Sequence, residues 1–190
     1  MEQKVIAYQG YPGAYSQMAC MAAFPDMKTL SCPTFELAIE AVHQENADLA
    51  MLPIENSVAG RVADIHSLLP SSNLFISGEY YQRVEHCLLA CNDAKLEDIK
   101  YVHSHFQALS QCRKFINKMN LQRMPEANTA IAAKKIAESN DVSKAAIASK
   151  LSAEIYNLKI LSPNIEDADH NTTRFLIMSK NNIIPEKNEA

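Results

Sequence analysis

Short β-prone runs alternate with helical patterns along most of this 190-residue chain. A run at residues 5–8 precedes a helical pattern at residues 14–24, and a helical pattern at residues 34–45 precedes an apolar run at residues 49–52. Such alternation is typical of α/β domains, in which helices cover a mostly parallel sheet. With 47% hydrophobic residues, the chain can bury a sizeable core as one domain or as two small lobes. The sequence therefore predicts an α/β fold.

One β-prone stretch, residues 74–90, is much longer than an average strand of about 5–6 residues. We interpret it as two strands joined by a crossing between lobes, and we place the lobe boundary near Gly78. Residues 175–178 form the last predicted strand, which we expect to return to the first lobe. The predicted organisation is therefore two hinged α/β lobes, the first of about residues 1–78 plus 170–190 and the second of about residues 79–169.

The remaining pattern supplies further elements and a tail. Helices are predicted at residues 62–69, 106–119, 128–139 and 150–156, and strands at residues 101–103, 145–148 and 159–161. The polar tail from residue 181 is expected to be frayed. Because ligands in such sheets bind at the carboxyl ends of strands, the polar residues that follow each strand are candidates for a functional site.

Composition excludes several functional classes. The formal net charge is −4 and the chain has no block of Lys and Arg, so we expect no nucleic-acid partner. No apolar run approaches the roughly 20 residues that a membrane helix needs, so we expect no membrane role. Five cysteines form an odd set in a chain that opens with Met-Glu-Gln-Lys rather than a signal peptide. Reduced thiols and a cytoplasmic location are expected.

Two polar segments follow strands of the first lobe. Gly10-Tyr11-Pro12-Gly13 has the glycines of a tight turn, or of a turn whose backbone N–H groups face a ligand. At residues 53–57, the sequence Pro-Ile-Glu-Asn-Ser places a carboxylate, an amide and a hydroxyl directly after an apolar run. The alternative for this second segment is an Asx-capped turn before the next helix.

The second lobe offers two similar segments. Ser104 ends a strand and is placed to cap the helix that carries Gln107 and Gln111, which share a face. Thr129 opens another helix, so each segment is either a simple cap or an anion site at a helix N-terminus. A metal site at His103-x-His105 is disfavoured because no Cys or Asp neighbours complete it, and Cys87 and Cys91 are predicted to be core residues.

Asn171-Thr172-Thr173-Arg174-Phe175 is the most informative segment, because two hydroxyls and a guanidinium open an otherwise apolar strand. The alternative to a functional role is that Arg174 pairs with one of Glu166, Asp167 or Asp169 at the start of that strand.

Together these segments resemble the prephenate dehydratase family, in order and combination, from about residue 4 to residue 180. The resemblance rests on the glycine turn with Ala14-Tyr15-Ser16, on Pro-Ile-Glu-Asn-Ser with Gly60, on Ser-His-Phe-Gln-Ala-Leu at residues 104–109, and on Thr-Arg-Phe at residues 173–175. Phe106 departs from the family's usual Pro, and Ile131 stands where a small residue is common. Most members continue into a regulatory ACT domain, which we expect this chain to lack.

The resemblance implies an architecture similar to type II periplasmic binding proteins, with an active site in the cleft between the lobes. It implies conversion of prephenate to phenylpyruvate with loss of CO2 and water, no metal or organic cofactor, and a homodimer or higher homo-oligomer. Thr173 would hydrogen-bond the leaving hydroxyl, helped by Glu55 or by a water that Glu55 or Asn56 positions. The implied substrate contacts are Asn56, Ser57, Ser104, Gln111, Thr129, Thr172 and Arg174, with Phe175 as an apolar wall.

Three alternatives stay open. Because side chains alternate along a strand, Thr173 and Arg174 face opposite sides unless the strand is irregular, so Arg174 is either a carboxylate clamp or a structural group. Arogenate, which has an amino group in place of the keto group of prephenate, is the alternative substrate. A ligand-sensing module without chemistry is the alternative from another functional class.

Overall fold

The computed structural model describes residues 3–182. Residues 1–2 and residues 183–190, which include most of the tail expected to be frayed, lie outside the described residues. The structure confirms the α/β class, with helices packed on two separate sheets. Of the described residues, 3–10, 15–83 and 172–182 form one compact unit, unit 1, and 11–14 and 84–171 form a second, unit 2.

Unit 1 is built on a sheet of six strands. Its strands are β1 (Val5–Gln9), β2 (Lys28–Cys32), β3 (Leu49–Asn56), β4 (Gly60–Arg61), β5 (Phe75–Arg83) and β11 (Thr172–Ser179), and its helices are α1 (Tyr15–Ala23), α2 (Phe35–His43), α3 (Ala63–Leu68) and the 3₁₀ turn Leu69–Ser71. The strand order is β2-β1-β3-β11-β5, and β4 pairs with β3 only. β1 is parallel to β2 and β3, whereas β11 is antiparallel to both β3 and β5.

Helix α2 begins at a side-chain cap and packs its apolar stripe into the core of unit 1. The Thr34 side chain accepts a hydrogen bond from the Leu37 backbone N–H at 3.2 Å, which satisfies one of the donors that a helix start leaves unpaired. The apolar stripe of α2 packs into one core cluster with β1, β3 and β11, through Ala38, Val42 and their neighbours. Thr34, the first residue of the helical pattern at residues 34–45, is therefore the N-cap of α2.

Unit 2 is built on a sheet of five strands. Its strands are β6 (Cys87–Ala90), β7 (Tyr101–Ser104), β8 (Gln122–Pro125), β9 (Lys144–Ala148) and β10 (Lys159–Ser162), and its helices are α4 (Phe106–Gln111), α5 (Arg113–Lys118), α6 (Thr129–Ser139), α7 (Lys150–Ile155) and the 3₁₀ turn Leu96–Asp98. The strand order is β10-β6-β9-β7-β8. Read from β8, it repeats the arrangement of unit 1: three parallel strands with the earliest in the chain at their centre, then an antiparallel strand and an edge strand.

Strand β6 carries the core of unit 2 on both of its faces. Cys87 and Leu89 pack in one cluster with α6, and Leu88 and Ala90 pack in the other with α4 and α5. All five cysteines of the chain are free and buried, so the core role predicted for Cys87 and Cys91 is confirmed.

Two boundaries differ from the sequence prediction. The stretch at residues 74–90 does form two strands, but β5 continues through Gly78 to Arg83 because it pairs with β11 along its length. The helix predicted at residues 106–119 is two helices, interrupted at Cys112, whose backbone (φ −116°, ψ 27°) is not helical.

Candidate active site

The carboxyl edge of the unit 1 sheet carries the predicted catalytic segment. β3 ends there and the antiparallel β11 begins there, so Thr173 lies opposite Asn56 of β3 on one side and Gln82 of β5 on the other. Residues opposite one another across antiparallel strands share a face of the sheet. An amide, a hydroxyl and a second amide therefore form a row at this edge.

Asn56 holds the Thr173 hydroxyl directly. Its Nδ2 donates to Thr173 Oγ1 at 2.9 Å and to the Thr172 carbonyl at 3.3 Å. Its Oδ1 accepts from the backbone N–H groups of Val58 and Ala59, at 3.0 and 2.8 Å. The Asn56 amide is thus fixed in orientation, and Thr173 Oγ1 accepts a hydrogen bond while its own O–H can donate in another direction.

Ser57 and Thr172 fix the start of β11. The Ser57 N–H donates to the Thr172 carbonyl at 2.9 Å, and the Thr172 N–H donates to Ser57 Oγ at 3.0 Å. This reciprocal pair joins the end of β3 to the start of β11. Because Thr172 alternates with Thr173, its side chain points to the opposite face of the sheet.

The sheet is irregular beside Arg174, on β3 and not on β11. Arg174 pairs with Glu55 but Phe175 pairs with Pro53, so one extra residue of β3 forms a bulge. Arg174 Nε donates to Glu79 Oε2 at 2.7 Å, and Nη1 donates to Glu55 Oε1 at 3.2 Å. These two carboxylates, Glu79 foremost, raise the pKa of Arg174. The alternative partners considered from the sequence were Glu166, Asp167 and Asp169, and Arg174 pairs with none of them among the described residues.

Glu55 and Phe175, two predicted site residues, lie on opposite faces of the sheet. The Glu55 carboxylate lies on Arg174, on the face opposite to Thr173, so the structure does not bring Glu55 and the Thr173 hydroxyl together. Phe175 shares a face with Thr173 and is 1% exposed.

Ser104 does not cap helix α4. The cap is His105, whose Nδ1 accepts from the Gln107 N–H at 3.4 Å. Ser104 is fully buried and its Oγ donates to the Ile147 carbonyl at 2.6 Å, which ties β7 to β9. The sequence prediction of an N-cap at Ser104 is therefore wrong by one residue. Phe106, which stands where the family usually has Pro, is the first residue of α4 and is 62% exposed.

Gln111 is the centre of a polar network in unit 2 that includes two buried side chains. Its Oε1 lies 2.8 Å from His86 Nε2 and accepts from Asn171 Nδ2 at 3.1 Å. The His86 backbone N–H donates to Glu166 Oε2 at 2.9 Å. His86 is 2% exposed, and this burial lowers its pKa although Gln111 and Glu166 act in the opposite direction.

No role was predicted for His86 from the sequence. A signal was present, because a polar residue stands directly before the apolar run that becomes β6. Asn171 was noticed within its motif but was given no role, and the structure buries it to 1% exposure.

Thr129 is the first residue of α6 and is partly buried. Asn128 caps that helix, since its Oδ1 accepts from the Ile131 N–H at 2.7 Å. His103 Nδ1 pairs with Glu126 Oε1 at 3.1 Å. Among residues 3–182, no group of three His, Cys, Asp or Glu side chains could hold a metal ion. Helices long and apolar enough to cross a membrane are absent from the same residues.

The glycine turn is held by unit 2 through its carbonyl oxygens. The Gly13 carbonyl accepts from Ser149 Oγ at 2.6 Å and from Ser152 Oγ at 3.0 Å, and Tyr156 donates to the Pro12 carbonyl at 2.8 Å. Gly13 has a φ of +92°, which favours glycine. These contacts support the tight-turn alternative for this segment.

A cavity of about 780 Å³ lies in unit 1, but it is remote from Thr173. Its lining includes Lys4, Asp48 and Leu49 at the start of β1 and β3, and Ser179 at the end of β11. It therefore opens at the end of the sheet opposite to the Asn56–Thr173 pair, and the candidate active site does not include it.

Comparison with known proteins gives one consistent family. The sequence model of the family described as prephenate dehydratase matches residues 6–183. A bifunctional N-acyl-homoserine lactone acylase/prephenate dehydratase of Komagataeibacter europaeus is 50% identical over 94% of this chain and 63% of its own length. Arogenate dehydratase/prephenate dehydratase 1, chloroplastic, of Arabidopsis thaliana is 45% identical over 95% of this chain and 46% of its own length. The chain thus spans about half to two thirds of these relatives.

A solved structure is similar as well. Prephenate dehydratase of Arthrobacter aurescens in complex with L-Phe superposes with a TM-score of 0.88 at 30% identity, over 96% of this chain and 62% of that one.

Proposed function

Because this chain belongs to the prephenate dehydratase family, we propose that it is a lyase that converts prephenate to phenylpyruvate, CO2 and water in L-phenylalanine biosynthesis. The hydrogen bond from Asn56 to Thr173 is the observation that carries this proposal. It orients a hydroxyl group at the carboxyl edge of a sheet, where a leaving oxygen could accept from it.

The reaction needs little covalent chemistry from the protein. The bond between the ring carbon and the carboxylate carbon breaks, its electron pair moves into the ring, and the ring hydroxyl departs with the electrons of its own bond. That oxygen takes a proton and leaves as water, so no oxidant or reductant is needed. Aromatisation supplies the driving force, and the protein orients the dianion and assists the departure of the hydroxyl.

Thr173 is the proposed donor to the leaving oxygen. A hydroxyl that accepts a hydrogen bond is a stronger donor, because hydrogen bonds in a chain polarise one another. Asn56 therefore both positions Thr173 and strengthens its O–H as a donor. Since a threonine hydroxyl remains a weak acid, we propose that water replenishes the proton, and that Glu55 acts indirectly by holding Arg174.

The other predicted substrate contacts fall into two groups, substrate-binding and structural, according to the hydrogen bonds that their side chains already make. Gln111 and Thr129 are the proposed contacts of the substrate carboxylates from unit 2. Ser57 and Ser104 are proposed to hold backbone in place, since their hydroxyls are engaged with Thr172 and Ile147. Thr172, Arg174 and Phe175 are proposed as structural residues at the start of β11.

Arogenate is the second candidate substrate. Relatives at 45% and 44% identity carry both arogenate and prephenate dehydratase in their names. The two substrates share the ring, the leaving hydroxyl and the ring carboxylate, so the role proposed for Thr173 is the same for either.

Location and assembly are further parts of the proposal. A cytoplasmic location is supported by the five free cysteines, because thiols persist in reducing compartments. A homodimer or higher homo-oligomer is supported by β5, an edge strand that exposes Phe75 and Ile76.

The test compares two substitutions of similar size at one position. Purified wild type is mixed with prephenate or with arogenate, and the formation of phenylpyruvate or phenylalanine is followed. Thr173→Val removes the hydroxyl and is expected to lower kcat about 100-fold or more, the scale of lost proton-transfer assistance. Thr173→Ser keeps the hydroxyl and is expected to retain most of the activity.

Full activity of Thr173→Val would show that the catalytic assignment is wrong even if the reaction is right. If the wild type binds either compound without forming product, the protein is a ligand-sensing module and not an enzyme.

A further inference from the structure

We propose that His86 and Asn171 are positioning residues, which fix the side-chain amide of Gln111 so that its Nε2 is directed at a carboxylate oxygen of the ligand. This inference rests on the proposed function for the identity of the ligand, but not for the orientation of the amide. The three residues, all in unit 2, are called the amide cluster below.

The orientation follows from counting donors. Gln111 Oε1 lies 2.8 Å from His86 Nε2 and 3.1 Å from Asn171 Nδ2. An amide nitrogen only donates, so the Asn171 Nδ2 group requires an oxygen opposite it. The same oxygen then requires a proton on His86 Nε2, which sets the tautomer of that ring.

Burial makes this arrangement rigid. His86 is 2% exposed and Asn171 is 1% exposed, so a lost partner inside the amide cluster would leave a polar group unpaired away from water. Backbone contacts hold the two donors, because the His86 N–H donates to Glu166 at 2.9 Å and the Val84 N–H donates to the Asn171 carbonyl at 2.9 Å. Gln111 has three rotatable side-chain bonds, and these neighbours select one of its conformations.

The other end of the Gln111 amide is the part that a ligand could use. Both hydrogen bonds of its side chain are made by Oε1, and no acceptor for its Nε2 is found among residues 3–182. Two N–H donors therefore remain. Prephenate and arogenate are both dicarboxylic acids, and a carboxylate oxygen is a strong acceptor for such a group.

The opposite arrangement is also self-consistent and makes a different prediction. If the amides of Gln111 and Asn171 were both reversed and the His86 ring kept its place, Gln111 would donate to Asn171 and to His86, and the His86 proton would sit on Nδ1. Both Gln111 N–H groups would then be used inside the protein and none would remain for a ligand. The tautomer of His86 therefore distinguishes the two arrangements.

The kinetic test uses a matched pair of variants. Methionine and glutamine have similar length, but only glutamine can donate a hydrogen bond in place of His86 Nε2. His86→Met is expected to lower kcat/KM about tenfold, mainly through KM, because about one hydrogen bond's worth of positioning is lost. His86→Gln is expected to recover most of that loss.

A double-mutant cycle separates positioning from general stability. In a Gln111→Met background, His86→Met is expected to cause no further loss of kcat/KM, because there is no amide left to orient. Additive losses in the two variants, or equal losses in His86→Met and His86→Gln, would overturn the proposal.

A second measurement is independent of activity. Imidazole ¹⁵N NMR of the wild type, with the His86 signal identified by its absence in His86→Gln, is expected to show the proton on Nε2. A proton on Nδ1 would overturn the proposed orientation. If the wild type acts on neither prephenate nor arogenate, the proposed function fails by itself, while the tautomer still decides how Gln111 is oriented.

Discussion

For the single residue Arg174, the motif identifies the side chain but does not reveal its partners or its role. The motif at residues 173–175 names an arginine, and strand alternation separates it from Thr173. Its partners Glu55 and Glu79 could not be predicted from the sequence, because they lie 119 and 95 residues away. Glu55 is placed opposite Arg174 next to a bulge in β3, and Glu79 is brought near by the pairing of β11 with β5; a single sequence carries no signal for either register.

We therefore expect Arg174→Lys to affect stability and not substrate binding. The three side chains are 38–48% exposed, and ion pairs at exposed positions contribute little to stability, so the free energy of unfolding should fall only slightly. KM should stay unchanged. Urea denaturation and steady-state kinetics measure the two quantities.

Glu79→Gln is the control, since it removes one partner and leaves the arginine in place. It should reproduce the loss of stability with the same KM. A raised KM in stably folded Arg174→Lys, without a change in Glu79→Gln, would instead make Arg174 a carboxylate clamp.

Among the elements, central strands, capped helices and the edge strands β5 and β10 could be predicted from the sequence, whereas the edge strands β2 and β8 could not. β1, β3 and β9 have apolar runs because they are buried on both faces of a sheet. β2 and β8 were missed, since each is an edge strand with mixed polar residues and a weak pattern. The break between α4 and α5 was also missed, because no Gly or Pro marks it.

The glycine turn at Gly13 can be tested at this scale. A Cβ there would lie 2.9 Å from Ser152 Cα, and φ is +92°. Gly13→Ala is therefore expected to lower the free energy of unfolding by about 2–4 kcal/mol, from backbone strain and overpacking together.

Gly60→Ala is the matched control for strain alone. Gly60 has a similar φ of +83°, but a Cβ added at this residue would have no neighbouring atom within 4 Å among the described residues. The substitution should cost only about 1 kcal/mol. Equal losses for the two variants in urea denaturation would show that the contact of the turn with α7 contributes nothing.

The thiols of both units make the stability of the whole molecule depend on pH. Five cysteines can be counted from the sequence, whereas their complete burial depends on packing in both units. Burial raises the pKa of Cys20 to about 12, and it raises the pKa values of Cys32, Cys87 and Cys112 as well. Unfolding returns each thiol towards its ordinary value of 9.0.

The sign of the resulting pH dependence follows from proton binding. Near pH 7 these four thiols are protonated in both the folded and the unfolded state, so their ionisation does not make stability depend on pH there. Above pH 9 the unfolded chain loses these protons while the folded protein keeps them, so stability falls as pH rises towards the folded pKa values. Each such thiol contributes a slope of up to about 1.4 kcal/mol per pH unit.

Urea denaturation between pH 7 and pH 10 should show this decline, and Cys20→Ala should make it shallower whatever its effect on stability at pH 7. A slope that is the same in Cys20→Ala and in the wild type would mean that Cys20 ionises as readily in the folded protein as in the unfolded chain, and that its burial in α1 does not protect it.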